Sequence, residues 1–205
     1  MPPVTRGFHG RRRRSGHLLP PGQHDVGQDF PVLSTGPTPR THPSRWDLQV
    51  SGEVAVPRRW TTQEFAALPH VDVTTDLHCV TTWSKFGTHW RGVSLDVLLE
   101  GVQTTAHHVL FVADGGYTTN LPLHEVTGGK AWVVDSYEDR PLDPEHGGPA
   151  RLLVPHLYLW KSAKWVRRIT LRANDAPGFW ENLGYHELGD PWREQRYRDD
   201  DANRG

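Results

Sequence analysis

The sequence predicts an α+β fold in a single domain, built from mixed β-sheets with short helices. Three observations carry this. Apolar and polar residues alternate with a period of two in several short stretches. The helical signals are brief, each opened by a capping residue and soon closed. The two kinds of element do not alternate along the chain as a βα repeat requires. With 36% hydrophobic residues and nine tryptophans in 205, one sizeable core is within reach.

Residues 1–45 read as an extended, partly disordered N-terminal segment, rich in Arg, Gly and Pro up to about residue 30 and proline-punctuated from Ser34 to Arg45. The run Arg11–Arg14 resembles the paired arginines of export signals, but it leads into "SGHLLPPGQHDVGQD", which has no apolar stretch, so a solvated tail is expected. The packed domain is expected over 46–172. In "WDLQVSG", Trp46, Leu48 and Val50 alternate with polar neighbours, which predicts a half-buried strand ending at a glycine turn. "TTQEFAAL" sets Thr61 and Glu64 at capping-box spacing and predicts a short helix stopping before Pro69. In "VDVTTDLHCV", Val71, Val73, Leu77 and Cys79 share one strand face, with Thr75 the polar exception. Asp72, Thr74, Asp76 and His78 take the other, so Cys79 ends the strand pointing inward. Ser94 opens a second helix in "SLDVLLEG". Further strands are expected at "HVLFVA", "AWVVD", "ARLLV" and "VRRITL", divided by the turns "ADGGY" and "EHGGP". Residues 173–205 form a tail packing on or flanking the domain.

A formal net charge of −1 gives no electrostatic reason to expect nucleic acid or an anionic membrane as partner. No window reaches the apolar length of a membrane span. A single cysteine cannot form an internal disulfide, which makes a cytoplasmic protein the simplest expectation.

That cysteine is the first candidate for chemistry. Cys79 runs into Thr81, Thr82, Trp83 and Ser84, a set of polar groups and an aromatic suited to lining a cleft, and His78 and His89 flank it. A zinc site is disfavoured because His78 and Cys79 point to opposite strand faces. A nucleophile pair of Cys79 with His89 stays open. The second candidate is "PHLYLWKSAKW", where Lys161, Ser162 and Lys164 crowd two ammonium groups and a hydroxyl into four residues. Such a cluster suits a phosphate, and Tyr158, Trp160 and Trp165 suit a walled pocket. Arg151 offers a third cation, and the stretch from His146 to Gly148 allows close approach of the backbone to a ligand.

Four segments, "LHCVTTWS", "WRGVSLDVLLE", "DGGYTTNLPL" and "GGPARLLVPHLYLWKSAKWVRRITL", resemble in that order the molybdopterin-binding domain of the sulfite oxidase superfamily, from about Trp46 to Leu171. The resemblance implies a sulfite oxidase-type molybdopterin-binding fold and a molybdenum–molybdopterin cofactor without haem. It implies that Cys79 ligates molybdenum, that Arg151, Lys161, Ser162 and Lys164 hold the pterin phosphate, and that His78, Thr118, Thr119 and Asn120 lie beside the cofactor. One thiolate is enough when the cofactor's dithiolene brings the other sulfurs. Typical sulfite oxidases place an Asn and paired arginines shortly after the metal cysteine, where this chain has Thr82, Trp83 and Ser84. "CVTTWS" is closer to the branch that resembles protein-methionine-sulfoxide reductase catalytic subunits. The implied activity is oxygen-atom transfer on a sulfoxide or N-oxide, with Thr82 and Trp83 in the substrate pocket. Sulfite oxidation is the alternative, with the missing charge supplied by a distant residue such as Arg45 or Arg91; a cofactor-binding protein without turnover is another. The expected partners are a small oxo donor or acceptor and an external electron-transfer protein. A monomer is expected because the chain has no room for the C-terminal sandwich domain through which sulfite oxidases dimerise.

Overall fold

The computed structural model describes residues 18–202, so the run Arg11–Arg14 lies outside the described residues. The strands are β1 (His24–Asp25), β2 (Asp47–Gly52), β3 (Arg58–Thr61), β4 (Val71–His78), β5 (Trp83–Ser94), β6 (His108–Ala113), β7 (Thr118–Pro122), β8 (Trp132–Tyr137), β9 (Arg140–Pro141), β10 (Arg151–Leu153) and β11 (Val166–Arg172). The α-helices are short: α1 (Thr62–Ala66), α2 (Leu95–Leu98) and α3 (Phe179–Asn182). Two mixed sheets result. A six-stranded sheet runs β1-β5-β8-β10, with β4 on β5 and β9 on β8; a five-stranded sheet runs β3-β2-β11-β6-β7. Leu48, Phe111 and Ile169 from the second sheet and Val93, Val133 and Leu152 from the first belong to one buried cluster, so the sheets share a core. Among the described residues no helix is long and apolar enough to cross a membrane.

The local signals act as their chemistry requires. Thr61 and Glu64 form both halves of a capping box on α1, which ends at Ala66, ahead of Pro69. The Ser94 hydroxyl accepts from the Val97 N–H at 3.2 Å and opens α2. Trp46, Leu48 and Val50 are buried on one face of the β2 segment.

One long element departs from the expectation. Trp83 and Ser84 are not in a loop but open the twelve-residue β5. Its pairing with β4 shifts register between Thr75 and Leu77, and its pairing with β8 shifts between Arg91 and Gly92. Each irregularity breaks the period of two by which a strand is recognised. The face expected for β4 is buried unevenly: Val71 at its start is exposed, Val73 packs against the cluster of Leu77 and Trp90, and Leu77 and the following Cys79 are buried.

Described residues on either side of 46–172 pack against it. β1 pairs in parallel with the start of β5, His24 beside Trp83. Phe30 stacks on the His146 ring, centroids 4.1 Å apart. From the C-terminal side, Glu181 of α3 is wholly buried and ion-paired with the equally buried Lys161 at 2.5 Å. Its Oε1 also accepts from Trp160 Nε1 at 3.0 Å and from Thr119 Oγ1 at 3.3 Å. Removing one partner of a buried ion pair strands the other charge, which costs about 3–5 kcal/mol. Glu181→Ala is therefore expected to lose that much stability in urea unfolding, and Lys161→Met combined with Glu181→Leu to regain most of it; equal stability of Glu181→Ala and the parent would contradict the pairing.

Candidate active site

A hairpin turn presents the cysteine. β4 ends at His78, and the chain reverses through Cys79–Thr82 into β5. The Cys79 N–H donates to the Trp83 carbonyl at 2.8 Å and the Thr82 N–H to the Cys79 carbonyl at 3.0 Å. Thr82 closes the turn with φ 73, a left-handed conformation that β-branched residues avoid at a cost of about 1–3 kcal/mol. Gln23 Nε2 donates to the Cys79 carbonyl at 3.0 Å, and Thr81 Oγ1 lies 3.1 Å from the sulfur. Burial pushes the Cys79 thiol up, while the Thr81 hydroxyl and the more remote Arg196 oppose the rise. A thiol held neutral in this way is a poor nucleophile, whereas a metal ion deprotonates a coordinating thiol outright.

Cys79, Thr81 and Trp83 line a cleft of about 340 Å³. Arg151, Ser162 and Lys164 share it, as do the aromatics Tyr117, Trp160, Trp165, Trp180 and Tyr185 and the N-terminal residues Phe30 and Leu33. Two cations there are held chiefly by backbone carbonyls. Arg151 is 4% exposed, and its Nη1 and Nη2 donate to the backbone carbonyls of His146 and Ser162, each at 2.9 Å. Lys164 donates to the Glu145 carbonyl at 2.9 Å. Among the described residues neither cation forms an ion pair. Burial lowers Arg151 to about 10, and burial with the Arg151 charge lowers Lys164 to about 8. Gly147, at φ 115, lets them converge: a Cβ there would meet Arg151 Cβ at 2.9 Å and Lys164 Cβ at 3.1 Å. One donor is also orphaned, since Trp83 Nε1 is buried without a hydrogen-bond partner. The Ser162 Oγ accepts from the Val154 N–H at 2.9 Å, which leaves its proton for another acceptor.

The structure thus brings Cys79, Trp83, Arg151, Ser162 and Lys164 to one cleft. It places six other expected residues off the cleft wall. Thr82 shapes the turn. His78 turns to the other face of the hairpin, its Nδ1 2.8 Å from Ser84 Oγ and its ring edge-on to Trp192. Thr118 and Thr119 lie in β7, Thr119 bonded to Glu181. Asn120 holds the C-terminal segment, with Nδ2 donating to Asp175 and Glu187 and Oδ1 accepting from the Gly178 N–H at 3.1 Å. Lys161 is committed to Glu181. His89 is 3.5 Å from Asp139 and off the cleft wall, so the structure does not bring Cys79 and His89 to one site. Arg45 is exposed and Arg91 pairs with Asp72 at the surface, so neither brings charge to the cleft. Tyr117, Trp180 and Tyr185 were not anticipated. Tyr185 belongs to the C-terminal tail, and its hydroxyl is raised by burial and by the charges of Tyr197 and Cys79. Among the described residues no three His, Cys, Asp or Glu side chains converge as a metal cage.

The model of the oxidoreductase molybdopterin binding domain family matches residues 35–180. The chain belongs to this family. It is 41% identical over 195 residues to the uncharacterized oxidoreductase YuiH of Bacillus subtilis, covering 93% of this chain and 98% of that protein. It is 31% identical over 144 residues to the putative protein-methionine-sulfoxide reductase subunit YedZ1 of Azospira oryzae, covering 69% of this chain and 55% of that one. In fold it matches the sulfane dehydrogenase SoxCD of Paracoccus pantotrophus with a TM-score of 0.61 at 21% identity, over 67% of this chain and 40% of that one. The chain therefore spans nearly all of one relative and about half of another. The family's sulfite oxidase-type fold is the one described above.

The cleft suits a molybdopterin by its own chemistry: two uncompensated cations for a phosphate, an orphaned indole N–H, aromatic walls and a soft sulfur. Lys164 makes anion binding depend on pH. With its ammonium lowered to about 8 and a bound phosphate raising that value, the Lys164 contribution to affinity is constant below about 8 and falls above it, while the phosphate's own second ionisation acts at about pH 6. Molybdopterin binding to the metal-free protein is expected to weaken by up to about tenfold per pH unit above 8, measured by equilibrium titration, and Lys164→Arg to remove that slope.

Proposed function

We propose that this chain is the catalytic unit of a molybdenum-cofactor oxidoreductase that reduces a sulfoxide or N-oxide, with electrons supplied by an external carrier. The observation that carries it is one cleft holding the inward-pointing Cys79, the buried Arg151 and the half-buried Lys164, with no carboxylate on its wall among the described residues. In this reading the Cys79 thiolate ligates the metal, and Arg151, Lys164 and Ser162 hold the pterin phosphate. When bound, the cofactor supplies the two-electron transfer of an oxygen atom.

The substrate class follows from where charge is lacking. Sulfite brings up to two negative charges into a desolvated site, and without paired cations their burial costs several kcal/mol. Among the described residues, Arg151 and Lys164 are the Arg and Lys side chains on the cleft wall, and both are assigned to the phosphate. A neutral, polarised S–O or N–O group needs a hydrogen-bond donor and an aromatic wall instead. Trp83 supplies the wall, and its Nε1, unpaired and buried behind that wall, becomes the donor when the ring turns toward the substrate. The sulfoxide named for the YedZ1 relative is of the same class.

Reducing a sulfoxide consumes two electrons and two protons and releases a sulfide and water. In this reading Tyr185 is the hydroxyl on the cleft wall that hands on one of the two protons; it is protonated at neutral pH, and burial, which raises it, makes it a weak acid until the product oxygen becomes strongly basic. Protein from a molybdate-replete host is expected to contain molybdenum and pterin and to reduce sulfoxides with a viologen donor faster than it oxidises sulfite with ferricyanide; the reverse order would overturn the substrate assignment. Cys79→Ser offers an oxygen that stays protonated and is expected to abolish turnover while the fold survives. Tyr185→Phe is expected to lower kcat by about a hundredfold at unchanged metal content. Trp83→Phe keeps the aromatic wall, loses one donor and is expected to lower kcat/KM by about tenfold.

A further inference from the structure

We propose that Arg196 is a positioning residue for the Cys79 sulfur, reaching from the C-terminal segment to fix the turn that carries it. Its Nη1 donates to the carbonyl of Val80, the residue between Cys79 and Thr81. Thr81 in turn places its hydroxyl 3.1 Å from the sulfur, so a shift of the Val80 peptide moves both. Arg196 is itself held on every side. Its guanidinium lies 5.1 Å from the ring centroid of the wholly buried Tyr158. Its backbone N–H donates to Asp200 Oδ2 at 2.7 Å, and its carbonyl accepts from the His186 N–H at 3.1 Å.

The turn needs such a hold. Thr82 at φ 73 stores strain within three residues of the sulfur, and strained backbone persists only where its surroundings over-determine it. Inside the hairpin, two backbone hydrogen bonds close the turn. From outside, Gln23 takes the Cys79 carbonyl and Arg196 the Val80 carbonyl, two neighbouring acceptors gripped from opposite ends of the chain. Arg196 does not line the cleft, so it acts from behind the turn, through the Val80 carbonyl and through its charge.

The inference rests on Cys79 being the metal ligand, and its test separates the two. In metal-free protein, Arg196→Ala is expected to speed amide hydrogen exchange of the segment 79–83 by about tenfold, through loss of a charge-assisted hydrogen bond. In the loaded protein it is expected to retain molybdenum, to shift the g-values of the Mo(V) resonance and to lower kcat with KM nearly unchanged. Arg196→Lys, which keeps a charged donor, is expected to restore all three readouts in part. If Arg196→Ala does not fold, Arg196→Gln takes its place against Arg196→Lys. Exchange equal to the parent overturns the hold on the turn whatever the metal does. Faster exchange with an unchanged Mo(V) spectrum overturns its action on the sulfur.

Discussion

Two positive charges side by side, Arg151 buried and Lys164 half-buried, with no carboxylate on the cleft wall among the described residues, organise the cleft. Arg151 and Lys164 repel each other, and each is held by backbone carbonyls and an aromatic face, Trp90 for Arg151 and Trp165 for Lys164. Holding them together takes a glycine at 147, the carbonyls around it and the face of Trp90, whose ring centroid lies 5.6 Å from the Arg151 guanidinium. A protein interior tolerates such an arrangement only when something else completes it. The contrast with Lys161 is instructive. Three residues from Lys164, it is equally cationic and more deeply buried, yet Glu181 neutralises it and it takes no part in the cleft. Charge alone does not mark an anion site; unpaired charge does.

Much of the site was legible because its residues lie in short segments whose chemistry is local. Strand parity aimed Cys79 inward and His78 away from it, and the capping signals bounded α1 and α2. What was not legible depends on partners far along the chain. No spacing rule links Lys161 to a glutamate twenty residues later, so two neighbouring lysines read as one cluster. Asn120 looked like a cofactor contact and instead ties down residues 175–187. β5 hid because its register shifts break the alternation that reveals a strand. Tyr185 and Phe30 lie in segments without periodicity, and only the fold brings them to the cleft.

Both flanks of the chain meet the cysteine turn. From the N-terminal side come Gln23, β1 and Phe30; from the C-terminal side come Tyr185 and Arg196. The sheets provide a rigid frame, and these segments finish the site on it. Relatives that share the frame can therefore differ in chemistry through their flanks, a division of labour common to folds that serve many reactions.

The unpaired cations also bear on how long the protein lasts in a cell. A ligand that binds the folded chain stabilises it by mass action, most strongly where the ligand-free interior carries an unmet charge. If the cleft holds the proposed cofactor, a chain starved of molybdenum would open more often and offer itself to housekeeping proteases, whose cleavage follows the population of open forms. Its abundance would then track the metal supply without any dedicated sensor, because the interior that awaits the anion is itself the gauge.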